Sequence, residues 1–388
     1  MRIVRLANYV APASGGLRTA LRELGAGYLA AGHEPVLVIP GPRPGREYTR
    51  QGLVITVPGV IVPGTGGYRA ITTRRPLRQL LDDLAPDRLE VSDRTTLRWT
   101  GRWARERGVR SMMVSHDSLA KLAGMFAPPG MTGQWLSDQL NASTAASYDV
   151  VVCTTSWASA EFRRLHVRNL RQVPLGVDLD CFQPGHRDTQ LRAQFAAPDE
   201  PLLVHCSRLS PEKRPERAIG ALAELRRRGV PARLVVAGDG PRLGGLCAQA
   251  RDLPVRFLRY VTDRAVLARL LATADVVIAP GPAETFGLSA LEALASGTPV
   301  VVNDTSALPE VIGQAGLTAP DNDAAFADAI QCLLDTGVEL RRARARARAE
   351  RFGWPAAVSG FLAAHGLVPP GPPPSPATAT PYWAGGAR

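Results

Sequence analysis

Short runs of β-branched and apolar residues alternate with longer amphipathic stretches along almost all of the 388 residues, and this alternation is the pattern of parallel α/β sheets. In the first half, strands are predicted at Arg2 to Tyr9, Pro35 to Ile39, Arg110 to Ser115 and Asp149 to Cys153, with helices at Gly16 to Ala31 and Leu136 to Ser147. A second series places strands at Leu202 to Cys206, Arg233 to Ala237, Val255 to Leu258, Val276 to Ala279 and Pro299 to Asn303. Between the two, Val173 to His186 carries Pro174, Gly176, Pro184 and Gly185 and reads as a junction. The expected organisation is therefore two α/β units, 1–180 and 181–353, followed by a short helix at 354–366 and a Pro-rich tail at 367–388. Two open parallel sheets in tandem turn the carboxyl ends of their strands toward a shared crevice, where such folds bind ligands.

Composition excludes several classes. A hydrophobic share of 45% and a charged share of 21% belong to a folded globular chain, with only the tail too poor in apolar residues to bury a core. No apolar window approaches the roughly 20 residues of a membrane span, and Arg2, Arg5 and Asn8 interrupt the one stretch that resembles a signal peptide, so a cytoplasmic location is expected. The cysteines (Cys153, Cys181, Cys206, Cys247, Cys332) are scattered, without zinc-like spacing. A net charge of +11 attracts nucleic acid, anionic membrane or phosphorylated small molecules alike. No zinc finger, RNA-recognition signature or aromatic-basic interleaving is present, and nucleic acid is set aside. The run Arg341 to Arg351 (RRARARARAER) distributes its arginines around a helix and reads as a solvated connector.

The densest chemical signal is Pro280-Gly-Pro-Ala-Glu284-Thr-Phe-Gly-Leu-Ser-Ala-Leu-Glu292-Ala-Leu-Ala-Ser-Gly297, between two predicted strands. Leu288, Leu291 and Ala295 form the buried stripe of a helix starting near Phe286, whose free amides open at a strand's carboxyl end and suit an anion. Glu284 is either an acid favoured by the helix dipole or a ligand group. Glu292 is either a surface ion-pair partner or an acceptor for sugar hydroxyls. The helical neighbours Leu288, Ser289, Ala295 and Ser296 supply no cation, and this favours the acceptor.

With those residues in view, the chain resembles the retaining glycosyltransferases of GT-B fold known as family 4. Glu284 to Glu292 resembles that family's E-x7-E signature, and Arg208 to Lys213, after the first strand of the second half, its R-x4-K element. The Gly15-Gly16 turn, Ser115-His116-Asp117, Pro174-Leu-Gly176-Val-Asp178 and Gly238-Asp-Gly240-Pro241 fit in the same order, and the likeness covers about Met1 to Gly366. It implies two Rossmann-like domains facing a cleft, the first on the acceptor side and the second binding a nucleotide-diphosphate sugar. Arg208 and Lys213 would neutralise the leaving diphosphate, Glu284 and nearby amides would hold the sugar, and Glu292 the ribose. His116 would hydrogen-bond the donor sugar. Gly16, Phe286, Gly287 and Leu288 would complete the donor site. The reaction implied is a front-face substitution in which the leaving phosphate helps to deprotonate the acceptor.

No cofactor and no metal is expected. Asp178-Leu-Asp180 and Asp321-Asn-Asp323 both spell DxD, but the first belongs to the junction and Asp323 is placed to cap a helix. The pattern is similar to bacterial mannosyltransferases acting on lipid or cell-envelope acceptors, so GDP-mannose leads among donors. A lipid, a glycan and a small molecule all remain open as acceptors. The rival readings are a GT-B sugar epimerase and a non-catalytic sugar-nucleotide binding protein. Arg69, Arg74, Arg75 and Arg78, around Ile71, Leu77, Leu80 and Leu81, are either a solvated face broken by Pro76 or a contact with the anionic inner face of the cell membrane.

Overall fold

The structure, a computed structural model, describes residues 1–10, 15–62, 67–119 and 134–367; the tail expected beyond Leu367 lies outside them. The first half builds one eight-stranded sheet in the order Leu170–Gln172, Val150–Cys153, Arg110–Ser115, Arg88–Val91, Arg2–Leu6, Glu34–Gly41, Gly52–Pro58 and Gly45–Thr49. Every pairing is parallel except the last, where Gly45–Thr49 runs antiparallel at the edge. The second half builds a six-stranded, wholly parallel sheet in the order Val255–Leu258, Arg233–Ala237, Leu202–Cys206, Val276–Ala279, Val300–Asn303 and Gly316–Ala319. Successive residues of a strand face opposite layers, as the period of two requires: Ile3 packs with Leu24 and Tyr28, Val4 and Leu6 with Leu77 and Leu97.

Two of the strands absent from the sequence reading have weak patterns. Gly45–Thr49 is an exposed edge, and Arg88–Val91 is four residues long with an arginine and a glutamate in it. Glu90 is tolerated there because Arg5 Nε donates to it at 2.9 Å and Tyr28 Oη at 2.8 Å, and the Nε2 of His365 lies 3.2 Å away, all fully buried. Gly52–Pro58, by contrast, carries a clear apolar run that the expected strands do not include.

The chain crosses between the halves twice, and the crossings touch: Val177 N donates to Phe352 O at 2.7 Å. A Cβ on Gly176 would sit 2.6 Å from backbone atoms of Trp354, so only glycine lets the two crossings meet. The final helix, Trp354–Ala364, then packs on the first half's Gly16–Ala30, with His365 reaching Glu90.

The arginine-rich helix Val338–Ala349 is not a solvated connector. Arg341 and Arg342 are buried, and the arginines reach carbonyls at helix ends: Leu333 and Leu334 from Arg341, Ala272, Ala274 and Ser296 from Arg342, Ala295 from Arg346, Glu310 and Val311 from Arg348. Distributing cations around this helix serves the carboxyl ends of the helices Arg264–Thr273, Leu288–Ala295, Leu308–Ile312 and Asp323–Asp335, which surround it.

Candidate active site

Both sheets reverse strand order beside their first strand, and in an open α/β sheet the loops at such a reversal diverge and leave a crevice. In the second sheet the reversal falls between Leu202–Cys206 and Val276–Ala279. The loop after the former carries Arg208 and Lys213, and the loop after the latter carries Glu284. In the first sheet it falls between Arg2–Leu6 and Arg88–Val91. The loop after Arg2–Leu6 leads to Gly15 and Gly16, while His116 follows the next strand outward, Arg110–Ser115.

Helix Leu288–Ala295 begins after Gly287, which takes a left-handed φ of 77°. A Cβ there would also lie 2.1 Å from Leu308 Cδ2, so both conformation and space call for glycine. Opposite it, helix Gly16–Ala30 begins at Gly16, whose Cβ position is 3.6 Å from Leu288 Cδ1. The amide ends of two helices thus meet across the cleft, one from each half.

Lys213 ends a short 3-10 turn, and its Nζ donates to Glu284 Oε1 at 2.6 Å. Burial alone would make that amine easier to deprotonate, but Glu284, with Glu212 and Asp117, outweighs it and raises its pKa. Arg208 Nη2 donates to Glu212 Oε1 at 2.6 Å and Nε to Ser210 Oγ at 3.2 Å, while its guanidinium lies 4.8 Å from the ring centroid of Tyr68, a first-half residue. The Gly238-Asp239-Gly240 loop buttresses this arm, with Leu209 N donating to Asp239 O at 2.9 Å. Sequence reasoning missed Tyr68, because nothing local marks an aromatic that acts on a residue 140 positions away.

His116 Nε2 lies 3.2 Å from Ser92 Oγ. Burial lowers its pKa, against the pull of Asp117 and Glu90 and with that of Arg5 and Arg94, so the ring is neutral at pH 7. Its carbonyl accepts from Thr285 Oγ1, and the Thr285 carbonyl in turn accepts from Thr155 Oγ1 at 2.9 Å. Thr285, beside Glu284, therefore joins the halves at the cleft floor, a role the sequence did not signal. Phe286 is buried with its ring edge-on to Phe352, 6.0 Å between centroids, which leaves only its backbone for a ligand.

Glu292 does have a cation, from outside its own helix: Arg264 Nη1 donates to Oε1 at 3.4 Å. Burial pushes the Glu292 carboxyl up to about 7, with Arg264 and Arg22 pulling the other way. Three of the four DxD aspartates have protein partners. Asp178 Oδ1 accepts from Cys181 N at 2.9 Å, and Arg217 binds both Asp321 and Asp323, at 2.9 and 2.6 Å. The cap of helix Asp323–Asp335 is Asn322 rather than Asp323: the Asn322 side chain accepts from Ala325 N at 2.8 Å. Among the described residues no group of three or more His, Cys, Asp or Glu side chains could hold a metal ion.

Residues 15–177 match the family described as glycosyl transferase 4-like domain, and residues 186–351 match glycosyl transferases group 1. The GDP-mannose-dependent alpha-(1-6)-phosphatidylinositol dimannoside mannosyltransferase of Mycobacterium tuberculosis (strain ATCC 25177 / H37Ra) is 50% identical over 370 residues, 95% of this chain and 97% of that protein. A D-inositol 3-phosphate glycosyltransferase of Nocardia farcinica is 34% identical over 206 residues, 49% of this chain and 46% of that protein. Among solved structures, sucrose-phosphate synthase from Thermosynechococcus elongatus superposes with a TM-score of 0.73 at 23% identity, covering 92% of this chain and 96% of that one. That likeness confirms the expected two-sheet GT-B fold.

Proposed function

The chain belongs to the glycosyl transferases group 1 family, and on that premise we propose that it moves mannose from GDP-mannose to a phosphatidylinositol-based glycolipid, with retention and without a metal ion. The observation that carries the donor and acceptor is the 50% identity to the mycobacterial mannosyltransferase across nearly the full length of both chains. The site geometry supports the chemistry. Lys213, Arg208 and two helix amide ends offer the positive charge that a departing diphosphate needs, in a cleft where such groups are preorganised. Glu284 orients Lys213 and takes the sugar, Glu292 takes the ribose, and His116, neutral, donates to or accepts from a sugar hydroxyl. In the reaction the acceptor oxygen bonds to the anomeric carbon on the face from which the diphosphate oxygen leaves. The acceptor's proton passes to that phosphate oxygen.

The first half supports a membrane-side acceptor. Arg74, Arg75 and Arg78 are exposed on helix Arg74–Leu84, which buries Leu77 and Leu81; Pro76 sits in its first turn and does not interrupt it. Arg69 is not part of that face, since its Nη1 donates to Gly59 O at 2.7 Å. Beside the helix, exposed Val60 lines an apolar groove of about 780 Å³ together with Ile55, Val57, Ile71 and Leu80, and Ile61, next to it, is exposed too. Among the described residues no helix is long and apolar enough to cross a membrane, so contact with a bilayer would be peripheral.

A panel of GDP- and UDP-sugars, each tested with phosphatidylinositol and its mannosides in anionic vesicles or dispersed in detergent, tests the reading. GDP-mannose turnover that needs the lipid acceptor is expected, with vesicle-borne acceptor used less well by an Arg74→Ser, Arg75→Ser, Arg78→Ser variant. Turnover of a different nucleotide sugar, or nucleotide release indifferent to acceptor, would contradict it.

A further inference from the structure

Arg264 opens the helix Arg264–Thr273, where free amides already present positive charge and a cation is disfavoured. Three side chains hold it there, the Cys181 thiol among them. Its guanidinium lies 4.9 Å from the ring centroid of Phe182, which is fully buried in the first crossing, and its Nη1 donates to Glu292 Oε1 at 3.4 Å. Among the described residues no other side chain or amide donates to that carboxylate. The Glu292 side chain is 12% exposed, open enough to meet a ligand and too buried to be hydrated as a surface acid.

The other groups around Glu292 do less. Arg22, on helix Gly16–Ala30, lowers its pKa from across the cleft but pairs with Glu23 at 2.7 Å; Asp178, in the crossing, raises it. The thiols of Cys181 and Cys206 are pushed up by burial and stay protonated at neutral pH. Arg342 and Arg346, on the packed helix Val338–Ala349, are committed to the carbonyls of Ser296 and Ala295.

Resting on the reading of Glu292 as the ribose ligand, we infer that Arg264, clamped by Phe182, is the positioning residue that holds the Glu292 carboxylate as a double acceptor for the two ribose hydroxyls, without itself touching the nucleotide. An ionised carboxylate accepts from two hydroxyls at once, whereas protonation turns one of its oxygens into a donor. A carboxyl poised near 7 is divided between those forms at neutral pH, and the nearest cation decides the balance.

The sign follows. Binding that needs ionised Glu292 weakens as pH falls through its pKa, and removing Arg264 raises that pKa, so the loss begins at higher pH. The test is calorimetric binding of GDP and of 2′,3′-dideoxy-GDP between pH 6 and 9 to the wild type, Arg264→Gln, Arg264→Lys and Glu292→Ala. The two nucleotides share base and phosphates, so their difference reports the ribose contact. Arg264→Gln should weaken GDP at pH 7 by on the order of tenfold, about one unit of pKa, recover most of it at pH 9, and leave dideoxy-GDP unchanged. Arg264→Lys should fall near the wild type. Equal loss at every pH, or equal loss for both nucleotides, would reduce Arg264 to a packing role and overturn the inference. If Glu292→Ala keeps its preference for GDP over dideoxy-GDP, the ribose reading itself fails. If it loses that preference while Arg264→Gln retains the wild-type pH curve, only the role of Arg264 fails.

Discussion

Lys213 is one of two lysines among 46 basic residues, and its position shows why an arginine would serve differently. A compact ammonium has three donors on a flexible stem, so it can hold Glu284 and still offer a hydrogen to a second acceptor, whereas a guanidinium would be fixed by its fork. Glu284, Glu212 and Asp117 overcome burial and keep that ammonium protonated, so its charge is present throughout the neutral range. Lys213→Ala and Arg208→Ala should each lower kcat about 100-fold or more, the roughly 2.7 to 4 kcal/mol typical of a lost preorganised transition-state donor. The fold should be intact by circular dichroism. Near-wild-type turnover in both variants would remove the leaving-group assignment. The sequence made these residues legible because their spacing is local. It could not show the partner of each, since Glu284 lies 71 residues from Lys213 and Arg264 28 from Glu292.

Among the helices, Val338–Ala349 departs furthest from its sequence pattern. Its arginines, read along the chain, form no single face, and a charge run is ordinarily solvated. What makes it a hub is tertiary: helices end on several sides of it, and each presents unpaired carbonyls. The Arg342 guanidinium alone donates to the carbonyls of Ala272, Ala274 and Ser296. Arg342→Ala should therefore destabilise the protein by about 2 to 4 kcal/mol, on the scale of charge-assisted hydrogen bonds lost with their acceptors left buried. Arg344, exposed on the same helix, should change it by less than about 0.5 kcal/mol when replaced by alanine. Urea unfolding of the two variants gives the comparison, and equal midpoints would contradict the hub. The strands follow the same logic: most of those with apolar runs between turns are legible, Gly52–Pro58 excepted, while Arg88–Val91 depends on Arg5, Tyr28 and His365 to bury its glutamate.

At the scale of the molecule, the halves are joined by more than their two crossings. Thr285 binds His116 and Thr155, and both carboxylate oxygens of Glu310 accept from Ser156 N, at 2.9 and 2.8 Å, capping a first-half helix from the second. These contacts tie the loop carrying Thr285 and the helix Leu308–Ile312 to the first half. The two-sheet plan was legible because hydrophobic periodicity is repeated twice; the contacts across the cleft were not, because they join residues more than 100 positions apart with no local pattern. Retaining transfer from GDP-mannose, whose mannose is α-linked to the diphosphate, would leave an α-mannoside on the acceptor. The anomeric configuration of the newly attached mannose, read by proton NMR and by α-mannosidase digestion of the purified glycolipid, tests it directly. The predicted product is α-linked and its mannose is released by the α-mannosidase; a β-linked product, or no mannose on any inositol lipid, would contradict retaining mannosyl transfer to such a lipid.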